Sequence, residues 1–248
     1  MADPALLILG GTSLAGQLAR SLANSGMRIV YSLAGRTKPR NLPDTEVRIG
    51  GFGGTEALSN YLRQENIVAV VDATHAYAAR ISDNARQACE QNEIALLRLE
   101  EPAWKHQPGD NWIEAGNVEE AKTLAARIAR RVFVTTGRQS IPVFARDNNC
   151  WWLIRIVPTD EQLSELHNGK YLQDRGPFDV SHELQLMKDH KIDAVISKNA
   201  GSAATYAKIE SARELGLPVI MIARPEGSAV DRVSTVKDAV DWLQPTLT

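Results

Sequence analysis

Cysteine is nearly absent from this sequence: Cys89 and Cys150 are the only two in 248 residues. They lack the close spacing of a metal site and are too few for a disulfide framework, so both are expected to be reduced thiols, with no metal bound by the protein. Long apolar runs are missing too. The opening Met1-Ala2-Asp3-Pro4 carries no basic leader, and the apolar run after it, residues 5–9, is far too short for a signal peptide or a membrane span. The expected location is therefore cytoplasmic, with no membrane partner. Nor does one sign of charge dominate: the formal net charge is -2, which gives no global pull toward nucleic acid and requires any anion-binding surface to be local. Apolar residues at 44% and charged residues at 23% leave no disordered signature. Nothing marks a self-complementary apolar face, so a monomer or weak homo-oligomer is expected.

What is present is alternation. Apolar runs at 6–9, 28–33, 67–71 and 94–97 are separated by amphipathic stretches at 14–24, 56–64 and 79–91, the pattern of βα units laid into a parallel sheet. After the turn-rich stretch 102–111, helices are expected at 118–129, 180–189 and 203–215, and strands at 132–135, 151–157, 194–196 and 219–222. The fold class is α/β. A domain boundary is placed in that stretch, giving domains 1–103 and 104–248, and a last helix at 235–243 that could pack on either half. Trp151 and Trp152 are adjacent on a strand, so their indoles face opposite sides and at most one lines a pocket.

The first strand runs into Gly10-Gly11-Thr12-Ser13 and then into a helix, where a doubly wound fold has its phosphate-binding turn. Glycines let the backbone approach a pyrophosphate, and the helix N-terminus supplies amide donors and partial positive charge. A P-loop would need Lys where Gln17 stands, which disfavours ATP hydrolysis. At the end of the second strand, where NAD enzymes place an acid for the ribose, this chain has Ser32 and Gly35-Arg36-Thr37-Lys38. A guanidinium and an ammonium there suit a 2′-phosphate, so the expected cofactor is NADPH; the plainer alternative is a solvated basic loop. The loop Gly50-Gly51-Phe52-Gly53-Gly54 allows close approach of nicotinamide or substrate, or is simply a flexible connection. Asp72-Ala73-Thr74-His75 should emerge at the carboxyl edge of the sheet, where Thr74 and His75 could meet cofactor or substrate. His75 or Tyr77 could carry a proton, and the alternative for His75 is a local capping role.

Two later turns repeat this arrangement. Thr135-Thr136-Gly137-Arg138-Gln139 follows one strand; Ser197-Lys198-Asn199-Ala200-Gly201-Ser202, with Thr205 and Lys208 beyond, follows another. Hydroxyls, glycines and one cation per turn read as anion-binding turns, or as ordinary tight turns with surface charge. Arg175-Gly176-Pro177-Phe178 presents a further cation and an aromatic ring on a stiff loop.

In this order, Leu7-Ile8-Leu9-Gly10-Gly11-Thr12, Ala34-Gly35-Arg36-Thr37, residues 50–54, 72–75 with Tyr77-Ala78 and Ile81-Ser82, Arg98-Leu99-Glu100 with Pro102 and Trp104, 135–139, 175–178 and 197–225 resemble the precorrin-6A reductase family of the cobalamin pathway. The resemblance implies two Rossmann-like domains with parallel sheets and the active site in the cleft between them. It further implies NADPH on the first domain and reduction of the bond joining carbons 18 and 19 of a polycarboxylate tetrapyrrole. On that reading the cofactor contacts are Gly10, Gly11, Thr12, Ser13, Ser32, Gly35, Arg36, Thr37, Gly51, Phe52, Gly53, Thr74 and His75. The substrate contacts are Thr136, Gly137, Arg138, Gln139, Arg175, Lys198, Asn199, Gly201, Ser202 and Thr205. Departures from the family pattern are Ala76 for a usual Pro, Glu101 for a common Arg, and Ala200 and Ser202 for Ser and Gly.

Two rival readings are an NADPH-dependent carbonyl reductase and a non-enzymatic nucleotide-binding regulatory module. The first lacks its helical Tyr-x-x-x-Lys pair, since Tyr206 and Lys208 are two apart; the second has no use for a second set of anion-binding turns.

Overall fold

Ala5–Leu9 forms β1, and all five of its residues are buried, as befits a strand covered on both faces. In the computed structural model, which describes residues 3–35, 42–225 and 230–247, it lies inside a six-stranded sheet. With strands and helices numbered in chain order, its neighbours are β2 (Arg28–Leu33), β3 (Glu46–Ile49), β4 (Ile67–Asp72), β5 (Ala95–Leu99) and β12 (Asp231–Val233), in the order β12-β5-β4-β1-β2-β3. Every pairing is parallel. Read from β3, this is the 3-2-1-4-5-6 order of a doubly wound dinucleotide fold, whose direction reverses between β1 and β4.

Helical spacing decides what covers the sheet. Helix α1 (Ser13–Leu22) turns Ala15, Leu18, Ala19 and Leu22 inward, a stripe of period 3.6, and packs with Ala239 and Leu243 of α8 (Val236–Leu247) over Leu6, Ile8, Ile29, Tyr31 and Val71. The opposite face takes α2 (Thr55–Gln64) and α3 (Ala79–Gln91), which bury Leu58, Leu62, Ala85 and Cys89 against Leu7, Leu9 and Val70.

The chain divides into two compact units, Met1–Pro102 with Pro225–Thr248, and Ala103–Arg224. The last helix, whose side the sequence left open, thus returns to the first unit together with β12.

The second unit is another six-stranded parallel sheet, made of β6 (Trp112–Ala115), β7 (Arg131–Val134), β8 (Trp151–Ile156), β9 (Gly169–Gln173), β10 (Ala194–Lys198) and β11 (Val219–Ile222). Its order, β6-β11-β10-β7-β8-β9, repeats the first with one change: the sixth position is filled by a strand that precedes the others. Direction reverses between β7 and β10. One face buries Met187 of α6 (Val180–Asp189) and Ile209 and Ala212 of α7 (Ala207–Glu214) against Phe133, Leu153 and Val195. Helix α4 (Val118–Ile128) packs on β10, β11 and β6. The helix expected over 203–215 is interrupted: a 3-10 turn at Ala203–Thr205 precedes α7. Trp152 is core, while Trp151 stacks on His190 with its ring under Arg131.

Edges required special residues. Gly169 lies where a Cβ would fall 2.3 Å from the Trp152 carbonyl oxygen, so only glycine lets β9 pair with β8.

Candidate dinucleotide and anion sites at the two sheet edges

Leaving β1, the chain must turn into α1 within three residues. At Gly10 a Cβ would meet the Tyr31 ring at 2.6 Å, so the turn closes over a buried phenol only because that position is bare. Gly11 has φ +122 and nothing within 4 Å of its would-be Cβ, which leaves an open cradle in front of the helix. Its amide donates to the Tyr31 hydroxyl, opposing the burial that raises that group's pKa. Thr12 caps α1 by accepting from the Ala15 amide at 3.2 Å, and its hydroxyl donates to the Ala73 carbonyl at 2.8 Å. The predicted Thr12 therefore clips the turns after β1 and β4 together across the switch point. Ser13 is exposed at the first helical position, where the first-turn amides have no partner within the helix.

The turn after β4 is braced from below. Arg98, on β5 in register with Asp72, is 6% exposed, pairs with Asp72 at 2.8 Å and Glu100 at 3.0 Å, and donates to the Thr74 hydroxyl and carbonyl at 3.1 and 3.0 Å. Thr74 also donates its hydroxyl to Asp72 at 2.7 Å. Arg232 of β12 pairs with Glu100 as well. Two acids and two bases thus balance beneath the turn, and Thr74, predicted as a ligand contact, is held in that network. His75 stands exposed beyond it. Its Nδ1 accepts from the Tyr77 amide at 3.2 Å, which places the proton of the neutral imidazole on Nε2. The His75 and Tyr77 rings lie 5.7 Å apart.

Ser32, near the end of β2, is in register with Arg48 of β3. The Arg48 guanidinium donates to Ser32 Oγ at 3.4 Å, to the Gly50 carbonyl at 2.5 Å and to the Gly51 carbonyl at 3.0 Å, and lies 3.8 Å over the Phe52 ring. The predicted Ser32, Gly51 and Phe52 are thereby gathered around one cation absent from the sequence reading. Gly53 has φ +92, and Gly35, with φ +75, abuts Ile49. Arg36, Thr37 and Lys38, on which the 2′-phosphate expectation rested, lie outside the described residues.

In the second unit the turns after β7 and β10 meet at the corresponding reversal: both the amide and the hydroxyl of Thr135 donate to the Ile196 carbonyl, at 2.9 and 3.0 Å. Thr136 is buried against Ser140. Gly137 has φ +84 and open space around it. Gln139 is exposed in the 3-10 turn Arg138–Ser140. Arg138 pairs with Glu161 at 2.7 Å and donates to Thr159 at 3.3 Å. Gly201 has φ +84; the Ser202 carbonyl accepts from the Thr205 amide at 3.3 Å. Asn199 is tied reciprocally to the Trp104 backbone at 2.7 and 3.0 Å, and burial pulls the Lys198 pKa down. The loop carrying Arg175 joins this group: the Phe178 amide donates to the Ala204 carbonyl at 3.1 Å, and a Cβ at Gly176 would sit 3.0 Å from that same oxygen.

Two buried cations support these turns and were not singled out from sequence as buried. Arg155 of β8 makes a two-pronged pair with Glu183 of α6 at 3.0 and 2.5 Å while stacking 3.9 Å over Phe178, so the Arg175 loop rests on it. Lys208 of α7 is 5% exposed, donates to the Thr205 carbonyl at 2.6 Å and faces the Trp104 ring at 4.8 Å; burial lowers its pKa to about 7.

The family model described as precorrin-6x reductase CbiJ/CobK matches residues 5–244. A protein named precorrin-6A reductase from Rhodococcus erythropolis is 41% identical over 240 residues, covering 96% of each chain. One of the same name from Rhodobacter capsulatus is 39% identical, covering 96% of this chain and 95% of that one. Among solved structures, one titled CobK precorrin-6A reductase aligns with a TM-score of 0.89 at 39% identity, over 99% of this chain and 97% of the other. Among the described residues no helix is long and apolar enough to cross a membrane.

Proposed function

This chain belongs to the precorrin-6x reductase family, and from that premise we propose that it is an NADPH-dependent, cytoplasmic precorrin-6A reductase. The reaction adds two hydrogens across the bond joining carbons 18 and 19 of the tetrapyrrole. The observation that carries the reading is the open cradle at Gly11, where φ is +122 and a Cβ position meets nothing within 4 Å, set before the N-terminus of a ten-residue helix. A pyrophosphate fits such a place by backbone donors and helix dipole.

Bound there, a dihydronicotinamide supplies a hydride. The chain's own residues do the rest. Gly10, Gly11 and Ser13 hold the pyrophosphate, while Ser32, Gly35, Arg36 and Thr37 hold the adenosine end. Gly51, Phe52 and Gly53 allow close approach of the ring, and Thr74 keeps the turn after β4 in place. His75, after taking a proton from solvent to become the imidazolium, or Tyr77, reprotonated by solvent afterwards, delivers a proton to the carbon next to the one that accepts hydride, so that the double bond becomes single and charge balances. In the second unit Arg138, Arg175 and Lys198 pair with acetate and propionate side chains of the macrocycle. Gly137, Gly201 and the polar groups of Thr136, Gln139, Asn199, Ser202 and Thr205 line the same turns.

Mixing the protein with NADPH and precorrin-6A should oxidise the nicotinamide and change the visible spectrum of the tetrapyrrole in one-to-one proportion. Nicotinamide binding with an unaltered macrocycle would reject the substrate; turnover as fast with NADH would reject the cofactor preference.

A further inference from the structure

The second strand's carboxyl end is where a doubly wound fold receives the adenosine ribose, and at that end the structure sets a cation that the Gly35–Lys38 segment does not account for. Arg48 is fixed by the Gly50 and Gly51 carbonyls, by Ser32 and by the Phe52 ring. All its hydrogen-bond partners are neutral oxygens: among the described residues no carboxylate lies within ion-pair distance, so its positive charge is uncompensated. By contrast Arg28, at the other end of β2, pairs with Glu46 at 2.9 Å and Glu65 at 2.7 Å. Of the five guanidinium N–H bonds three are engaged, leaving Nε–H and one on Nη2 without an acceptor among the described residues. Ser32, accepting from Arg48, keeps its hydroxyl proton to give. Beside them Ile49 is 59% exposed and touches the Gly35 position, where its Cγ2 lies 3.1 Å from a would-be Cβ. An exposed branched apolar side chain at a sheet edge suits the face of a purine.

We infer that Arg48 is a specificity-determining residue for the dinucleotide, binding the 2′-phosphate together with Ser32 while Ile49 carries the adenine. This rests on the NADPH reading. The competing role is a brace that merely holds the 50–54 loop, and the two separate cleanly. Titration calorimetry with 2′,5′-ADP and 5′-AMP, ligands that differ only in the 2′-phosphate, gives an affinity ratio for the whole protein. Arg48→Gln should weaken 2′,5′-ADP by about 10- to 100-fold, the range of a charge-assisted hydrogen bond, and 5′-AMP by less than about threefold. Ser32→Ala, a milder change that keeps the loop staple, should lower the same ratio by about three- to tenfold.

If both ligands weaken together, or neither does, Arg48 is a brace and the inference is overturned. Should Arg48→Gln fail to fold, Ser32→Ala decides alone: an unchanged ratio overturns the inference. If the unaltered protein binds the two ligands equally, the NADPH reading itself falls, and the inference with it. A wild-type ratio well above one that the variants leave untouched sinks only the assignment to Arg48.

Discussion

Replacing Arg98 with Met tests whether the turn that carries His75 is held by buried charge. The guanidinium is 6% exposed and lies 2.8 Å from Asp72 and 3.0 Å from Glu100. Removing it leaves Asp72, 3% exposed, with no other cation within ion-pair distance among the described residues. Glu100 keeps its pair with the partly exposed Arg232, but Asp72 is left buried and unpaired. Breaking a buried pair in this way costs about 3–5 kcal/mol. For a unit of this size that is a fall in Tm of roughly 10 °C or more. The pair as a whole is worth far less than its halves, because desolvation of both ions offsets most of their attraction. The double variant Asp72→Asn/Arg98→Met should therefore recover more than half of the loss. Arg98→Lys should not, since an ammonium cannot reach Asp72, Glu100 and both Thr74 oxygens at once.

The assay is urea unfolding followed by far-UV circular dichroism for the three variants and the parent, with NADPH affinity measured by calorimetry at a temperature where all are folded. NADPH should bind more weakly to Arg98→Met, because Ala73 is the acceptor for the Thr12 hydroxyl that fixes the glycine turn. A loss in Arg98→Met below about 1 kcal/mol, or a double variant no better than the single one, would refute the account of the turn as electrostatically braced.

Lys208 should make stability depend on pH. Its folded pKa is lowered from 10.5 to about 7, so between those values the unfolded chain binds a proton the folded one does not, and stability rises with pH across that window; Lys208→Met should flatten the rise in denaturation midpoints between pH 7 and 10, and an unchanged slope would refute it. Gly10→Ala sets a methyl 2.6 Å from the Tyr31 ring; overpacking of this kind costs about 1–3 kcal/mol, so Tm should drop, and the same substitution made in a Tyr31→Ala background should lower Tm much less, because the ring it meets is gone. Glu161→Gln removes the carboxylate 2.7 Å from Arg138, and since an exposed pair is weak the affinity for a polycarboxylate tetrapyrrole should rise only about two- to threefold, read by direct titration.

The eight strand runs named from sequence are the eight interior strands of the two sheets. The four others, β3, β6, β9 and β12, are the four edges. Interior parallel strands are covered on both faces and read as unbroken apolar runs, as in β1 and β11. Edge strands have one ladder partner and less to bury: β3 reads Glu-Val-Arg-Ile and β9 Gly-Lys-Tyr-Leu-Gln, patterns that turn segments share. The sixth strand of the second sheet was further obscured because it comes first in the chain, as four residues directly after a stretch whose Pro and Gly content points to a loop.

The turns were legible for the opposite reason. Glycine and hydroxyl residues directly after an apolar run mark the strand's carboxyl end whatever its neighbours are, so residues 10–13, 72–75, 135–139 and 198–202 could be found one at a time. Buried charge has no such local mark. Arg98 follows an apolar run as though it began a loop, and Arg48 lies in a polar edge strand; neither reveals a partner 26 or 16 residues away. Both partners are register partners: Asp72 opposite Arg98 and Ser32 opposite Arg48. In a doubly wound sheet the strand order fixes which ends adjoin, and parallel register fixes which residues stand level. Once β3 is placed beside β2, a cation level with Ser32 becomes visible from sequence alone. The missing piece was therefore the edge strand rather than any chemistry of arginine, and the least conspicuous strand of the first sheet is the one that brings its cation level with Ser32.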